Sequence, residues 1–196
     1  PQIYCTGCAG NVTVGKYNDG SAKALSELTA RLEAAREQAV QHTRYLPAKR
    51  LLWRTTELAL PSRPQQALLL AQSRAWMADP KQPDSHRVYM GAMRLSFYER
   101  LQQPLLLCSL QIGKVHLLCL PGEPMLDFQF YAQQLKPKDF VAVAGYGDCG
   151  TAYICTDKAL AEGGYEPEAT NVGPGSEALL KEAIGSLLGL PAAPNH

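Results

Sequence analysis

At 196 residues the chain is long enough for one well-buried domain, and 46% hydrophobic with 19% charged residues is ordinary for a globular protein. This composition disfavours intrinsic disorder and membrane spans. Nineteen basic and eighteen acidic residues leave a net charge of +1, so no strong field indicates binding to nucleic acid or to an acidic lipid surface.

The first half of the chain predicts a strand, a long helix, a second strand and two further helices. Residues 1–6 indicate a strand that runs into a glycine-rich turn, and Ser21 is placed to cap a helix through about Gln41. The buried face of this helix is predicted from apolar residues near helical spacing, namely Leu25, Leu28, Leu32, Ala35 and Val40. The later elements of this half are a strand at Leu51–Leu60 and helices at Arg63–Met77 and Arg87–Leu101, with a proline-containing loop at Asp79–Ser85 between the helices.

The second half predicts a buried hairpin followed by helices and one more strand. The apolar runs Leu105–Leu110 and Val115–Leu120 flank a short connection that contains Gly113. The elements that follow are a helix at Met125–Leu135, a buried strand at Phe140–Ala144 and a helix at Ser176–Leu190 that Gly189 and Pro191 end. A hairpin among irregularly alternating elements predicts an α/β fold with a mixed sheet flanked by helices, rather than a doubly wound parallel sheet.

The stretch 145–174 is the best candidate for a site. It follows a short apolar run, carries no sustained apolar periodicity, and contains tyrosines at 146, 153 and 165 and an acid at 148 among several glycines. Just upstream, Leu120–Pro124 reads LPGEP, a tight turn that presents Glu123 at a strand end. We expect these two pieces to face each other.

Other familiar motifs are incomplete. Gly10–Lys16 fits G-x-x-x-x-G-K, but Tyr17 stands where a P-loop needs Ser or Thr, and the turn that follows does not begin a helix. His42, His86, His116 and His196 show no metal-ligand spacing, so each is interpreted as a surface or incidental histidine, and no G-x-S-x-G is present.

The six cysteines are too few for a disulfide scaffold in a chain of this length. Cys108 and Cys119 lie in apolar runs, where Cys is usually a small core residue. Cys5 and Cys8 form a C-x-x-C, but no second pair stands at zinc-ribbon spacing and no helix follows, which disfavours a redox or structural-zinc role.

Glu123, Tyr153 and Tyr165 are the residues whose chemistry could converge. A carboxylate at a strand end and two phenols on a glycine-rich stretch can supply an anionic metal ligand and a hydrogen-bond donor to one centre. The alternative is that the tyrosines only pack and that Glu123 only caps a helix start. Residue types and spacing alone leave both interpretations open.

Three motifs in order resemble the catalytic domain of neutral/alkaline, non-lysosomal ceramidases and their bacterial relatives. They are Gly7-Cys-Ala-Gly-Asn-Val-Thr13, the Leu120–Pro124 turn, and Tyr153-Ile-Cys-Thr-Asp-Lys with Tyr165-Glu-Pro twelve residues on. The resemblance implies a zinc-dependent hydrolase that cleaves the amide of ceramide into sphingosine and a fatty acid. In this family one Zn²⁺ is held by two His, one Glu and one Tyr, and a Ser nucleophile lies in a G-D-V-S-P-N motif.

By its place in these motifs, Glu123 matches the zinc glutamate of the family and Tyr153 matches its zinc tyrosine. Tyr165 matches the tyrosine that contacts the reacting carbonyl. Thr13 stands at the nucleophile position and Asn11 replaces the acid, because Gly10-Asn-Val-Thr-Val-Gly stands where the family has G-D-V-S-P-N. The zinc histidines of the family lie upstream of this motif. We therefore expect residues 1–196 to form a single domain fragment, the second half of a catalytic domain, whose partner is an N-terminal half that supplies both histidines.

The resemblance implies metal-assisted hydrolysis of a small-molecule or lipid amide, by attack either of Thr13 or of water that the metal activates. It also implies a role in sphingolipid metabolism and a secreted or cell-envelope location. The rival interpretation is a catalytically silent or ligand-binding relative that keeps the scaffold, and the departures at Asn11 and Thr13 favour this rival.

Overall fold

A computed structural model describes residues 3–13, 15–45, 47–79, 86–148 and 151–191. The predicted loop Asp79–Ser85 lies outside the described residues except for Asp79. So do Cys149, Gly150 and His196. The helices are α1 Ala22–Gln41, α2 Gln66–Ala78, α3 His86–Glu99, α4 Leu126–Leu135, α5 Asp157–Glu162, α6 Tyr165–Ala169 and α7 Ser176–Leu187. The strands are β1 Leu51–Leu58, β2 Leu105–Ile112, β3 Val115–Cys119, β4 Glu123–Pro124, β5 Phe140–Ala144 and β6 Tyr153–Ile154.

Four strands form a mixed sheet in the order β1-β2-β3-β5. β1, β2 and β3 are antiparallel, since a tight turn at Gly113 joins β2 to β3, whereas β5 returns after α4 and pairs with β3 in parallel. A helical crossover between neighbouring strands gives this parallel pairing. The predicted α/β class with a mixed sheet is confirmed.

Helices α4 and α7 cover one face of the sheet and form the core with it. Leu118 of β3, Phe128 of α4 and Leu180, Ile184 and Leu187 of α7 are fully buried. Their side chains recur at helical spacing on α7, so one stripe of that helix faces the strands. The predicted helices here are confirmed as α4 and α7.

Over the described residues, no helix covers the opposite face of the sheet, and this face is mostly apolar. The register places Leu51, Ile112, Val115 and Phe140 in one row across all four strands. Their exposed fractions are 69%, 38%, 41% and 66%. The next row contains Trp53, which is 60% exposed, beside Leu110, Leu117 and Ala142. We call this surface the open sheet face.

Two predictions in the N-terminal part are wrong. Residues 3–6 form no strand. The described backbone hydrogen bond of this segment is a loop contact, in which the Gly145 N–H donates to the Thr6 carbonyl at 2.8 Å. The cap of α1 is confirmed, since Ser21 Oγ accepts from the Ala24 N–H at 3.1 Å. Its predicted buried face is mostly exposed, because the core cluster includes no residue of α1. The exposed fractions of three members are 67%, 69% and 50% for Leu25, Leu32 and Val40.

Single residues also differ from their predicted settings. His116 is buried rather than at the surface, and its Nε2 lies 3.1 Å from Asp139 Oδ2. Cys108 and Cys119 are neighbours on the open sheet face and only partly buried. Over the described ranges no helix is both long and apolar enough to cross a membrane.

Candidate functional site

The turn LPGEP and the stretch 145–174 meet in a two-stranded parallel pairing, in which Glu123 of β4 lies opposite Tyr153 of β6. The Glu123 N–H donates to the Ala152 carbonyl at 2.9 Å, and the Gly122 N–H donates to the Asp148 carbonyl at 2.7 Å. Gly122 has a φ of 56°, and a Cβ there would overlap the Thr151 hydroxyl, so only glycine fits this turn. The prediction that these two pieces face each other is confirmed.

Two non-glycine residues beside the pairing adopt left-handed backbone conformations. Tyr146 has a φ of 62° and Ala152 a φ of 54°. The Tyr146 N–H donates to the Gly122 carbonyl at 2.7 Å, which fixes the first of these residues against the turn. Such conformations persist where the surroundings hold them in place, and they are enriched at functional sites.

The side chains of Glu123, Tyr153 and Tyr165 form one cluster. The Glu123 carboxylate lies close enough to the Tyr153 phenol for its charge to act on that phenol. The rings of Tyr153 and Tyr165 meet edge to face, with centroids 5.9 Å apart and an interplanar angle of 74°. Burial, and next the charge of Glu123, raise the pKa of the Tyr153 phenol to about 12. Near neutral pH the Tyr153 hydroxyl therefore keeps its proton.

The loop that contains Asn11 and Thr13 is attached to this cluster from the other side of β4. The Gly10 N–H donates to the Pro124 carbonyl at 3.0 Å, and a Cβ on Gly10 would lie 2.7 Å from the Glu123 carbonyl oxygen. Asn11 binds the start of α4, because its Oδ1 accepts from the Leu126 N–H at 2.8 Å. This bond satisfies a free amide of the helix, which is an ordinary use of Asn.

Thr13 lies two residues further along this loop and is exposed. Its hydroxyl accepts from the Gly15 N–H at 3.3 Å. The described hydrogen bonds give Thr13 no base that would take its proton, so they do not assign it as a nucleophile.

Among solved structures, the chain is similar to neutral ceramidase from Pseudomonas aeruginosa. The match covers 98% of this chain and 38% of that chain, with a TM-score of 0.57 and 15% sequence identity. The chain shares the fold of part of a neutral ceramidase. A structure titled as a ceramidase complexed with C2 also matches over 48% of this chain and 16% of its own, at 22% identity and a TM-score of 0.38. No protein-family model matches the chain, and a search of curated proteins finds no match.

Within this ceramidase-like fold, the resemblance carried by the sequence motifs agrees with the overall architecture. Three predicted site residues, Glu123, Tyr153 and Tyr165, lie together, while Thr13 lies on the neighbouring loop. The chain spans only 38% of the ceramidase it matches, so that protein's whole active site is not to be expected within it.

The cluster fits part of a zinc site. Glu123 and Tyr153 are paired across β4 and β6 and each carries an oxygen that could bind a metal, and carboxylate oxygen is an established zinc ligand. Catalytic zinc usually has three protein ligands. Over the part of the chain that the structure describes, no group of three or more His, Cys, Asp or Glu side chains is placed to hold a metal ion. Zinc at this position therefore needs ligands beyond those two.

The structure contains a buried polar network next to the cluster that the sequence did not predict. Arg94 of α3 is only 3% exposed, and its Nε donates to Asn171 Oδ1 at 3.1 Å. The Tyr98 hydroxyl donates to the Asn171 carbonyl at 3.1 Å. Thr170 in turn donates to the carbonyl of Tyr153, so this network supports the strand that presents the phenol. The available signal was the spacing of Gly91, Arg94 and Tyr98 on one helical stripe, which places an arginine on a buried face.

Proposed function

We propose that this chain supplies part of the active site of a zinc-dependent amide hydrolase, and that its substrate is an N-acyl lipid of the ceramide class. One observation carries the proposal. The carboxylate of Glu123, the hydroxyl of Tyr153 and the ring of Tyr165 come together at the β4–β6 pairing of a ceramidase-like fold. A site built on a strand pairing holds its side chains more firmly than one built on free loops.

Glu123 and Tyr153 would hold the metal in this proposal, together with two histidines from a segment outside this chain. Zinc, when bound, polarises a carbonyl group and lowers the pKa of a water molecule beside it. The chain's own contribution is to set the two oxygen donors close together and to keep the Tyr153 proton in place until a ligand displaces it. The backbone bond between Glu123 and Ala152 fixes the spacing of the two donors.

Tyr165 has a different role because it touches the ring of Tyr153 and is 61% exposed. A substrate can therefore reach its hydroxyl. A phenol beside the amide oxygen would donate to the negative charge that develops there, and a lost donor of this kind typically lowers the rate by about a hundred- to a thousandfold. Thr13 remains a candidate nucleophile, since it lies on the loop that Gly10 attaches to β4.

The test is hydrolysis of an N-acylsphingosine by the full-length protein, with zinc content measured on the same samples. Glu123→Gln and Tyr153→Phe should each lower zinc content and turnover together. Tyr89→Phe is the matched control, because Tyr89 is 62% exposed on α3 and outside the cluster. A wild-type protein that holds zinc stoichiometrically yet cleaves no N-acyl amide would support the silent, ligand-binding relative instead.

A further inference from the structure

Tyr165, whose ring contacts Tyr153, also lines a small pocket that Glu123 and Tyr153 do not line. Trp76 and Met90 from helices α2 and α3, together with Ala169 of α6, give it apolar walls. Its volume is about 180 Å³. Pockets that enclose a whole drug-sized ligand are typically roughly 300–1,000 Å³, so this one fits a single arm of a larger molecule.

The polar side of the pocket is unusual because it contains a buried cation. Arg94 lines the pocket, and among the described residues no carboxylate forms an ion pair with its guanidinium. Its one described hydrogen bond uses Nε, which donates to the neutral side chain of Asn171. Burying a charge is costly, and an anion bound beside the Arg94 guanidinium would offset part of this cost.

The other charges of the pocket lie at exposed positions. Arg87 adds a second cation, Glu168 contributes a carboxylate and His86 an imidazole, and all three residues are exposed to solvent. Solvent screens charges on these residues more strongly than the charge of Arg94. The buried charge of Arg94 therefore has the largest effect on which ligands the pocket binds. Because this charge is positive, it favours anions.

We propose that this pocket is a subsite for an acidic arm of the amide substrate, in which the guanidinium of Arg94 holds a carboxylate. The proposal rests on the proposed function, because Tyr165 lines the pocket and also contacts the ring of Tyr153. An amide held at the cluster would thus have one of its arms beside the pocket opening. The subsite would extend the proposed function from the uncharged ceramide class to N-acyl amino acids, whose amine side has a carboxylate a few bonds from the amide.

Trp76 provides a direct readout, since it lines the pocket and the chain has only two tryptophans. The other is Trp53, on the open sheet face, and Trp53→Phe leaves Trp76 as the sole reporter. This variant is titrated, without zinc and without turnover, with three probes that share one acyl chain. They are N-hexanoylglycine, its neutral amide N-hexanoylglycinamide, and the sulfonate N-hexanoyltaurine.

We expect N-hexanoylglycine to change the Trp76 emission saturably and to bind roughly ten- to a hundredfold more tightly than the neutral amide, on the scale of a charge-assisted hydrogen bond. The preference should shrink as salt is added. Equal binding of the acid and the amide would overturn the proposal. Preferential binding of the sulfonate over the carboxylate would overturn the N-acyl amino acid assignment.

Three substitutions locate the effect. Arg94→Met should abolish the preference for the acid, whereas Arg74→Gln, which removes an exposed cation of α2 outside the pocket, should not. Glu168→Gln should strengthen binding of the acid a fewfold and leave the neutral amide unchanged, and it keeps the assignment testable if Arg94→Met does not fold. A folded Arg94→Met protein that keeps its preference would refute the role of Arg94.

The two proposals fail separately in these experiments. If the chain prefers the acid but the full-length protein hydrolyses no N-acyl amide, the subsite proposal stands and the hydrolase proposal fails. If the full-length protein cleaves N-acylsphingosine but the chain shows no preference for the acid, the hydrolase proposal stands and the subsite proposal fails.

Discussion

Changing Tyr153 to Phe should alter the pH dependence of zinc binding and not only its strength. The substitution removes one hydroxyl and leaves the ring to pack against Tyr165. Because the pKa of Tyr153 is raised to about 12, the phenol is protonated throughout the neutral range. Zinc that binds the oxygen of Tyr153 must therefore displace one proton.

The size of the effect follows from that proton. Well below the pKa of the phenol, each displaced proton makes the affinity rise about tenfold per pH unit. The variant lacks this contribution, whereas histidine ligands would contribute equally to both proteins. The gap between wild type and Tyr153→Phe should thus widen by about thirtyfold over roughly 1.5 pH units, from about pH 6 to about pH 7.5.

The assay is competition against a chelator of known affinity, with the full-length protein at several pH values in this range. Tyr89→Phe should follow the wild-type line. A gap that stays constant with pH would refute the reasoning, because zinc would then displace no proton from Tyr153. The pKa of Tyr153 would still be raised by burial and by the charge of Glu123. Tyr153 would then only pack against Tyr165 and would not bind the metal.

Three further substitutions and one control test the neighbouring residues. Tyr165→Phe should keep its zinc while kcat falls by roughly a hundred- to a thousandfold, measured by metal analysis and turnover on one sample; loss of metal would reverse the roles of the two tyrosines. Thr13→Ala should abolish turnover with zinc retained if Thr13 attacks the amide, and unchanged turnover would remove it from the mechanism. Gly10→Ala should destabilise the chain by about 1–3 kcal/mol in urea unfolding, since the new Cβ would lie 2.7 Å from the Glu123 carbonyl oxygen. Gly15→Ala, whose nearest contact would be at 3.6 Å, should be nearly neutral, and equal effects would contradict this account.

Local patterns in the sequence predicted most of the elements. Short apolar runs, the Gly113 connection and the helix-ending Gly189 and Pro191 located β1, the hairpin of β2 and β3, and the helices α4 and α7. The sheet order could not be predicted, since it depends on where β5 returns after α4. The same limit explains the error for α1, where the helical period was right and the burial of Leu25 and Leu32 was wrong.

The candidate site was predicted in part, through motifs of residues close in sequence. Glu123 and Tyr153 were expected to converge because Glu123 follows the turn at a strand end and Tyr153 lies on the glycine-rich stretch expected to face that turn, and the β4–β6 pairing brings them together. Arg94 was missed because it lies in a helix far along the chain, and its partner Asn171 follows 77 residues later. Contacts over such separations leave no local pattern, except that an arginine occupies a stripe otherwise made of buried residues.

The open sheet face has a consequence for how this chain responds to heat and denaturant. Unfolding normally exposes apolar surface in proportion to chain length, and this exposure sets the heat-capacity change and the denaturant slope. Here the side chains of Leu51, Trp53 and Phe140 already meet water in the folded state. The heat-capacity change should therefore fall below the roughly 2.4–2.9 kcal/mol/K that 196 residues would ordinarily give. The stability curve of this chain should accordingly be flatter, and its urea transition broader, than its length alone would indicate.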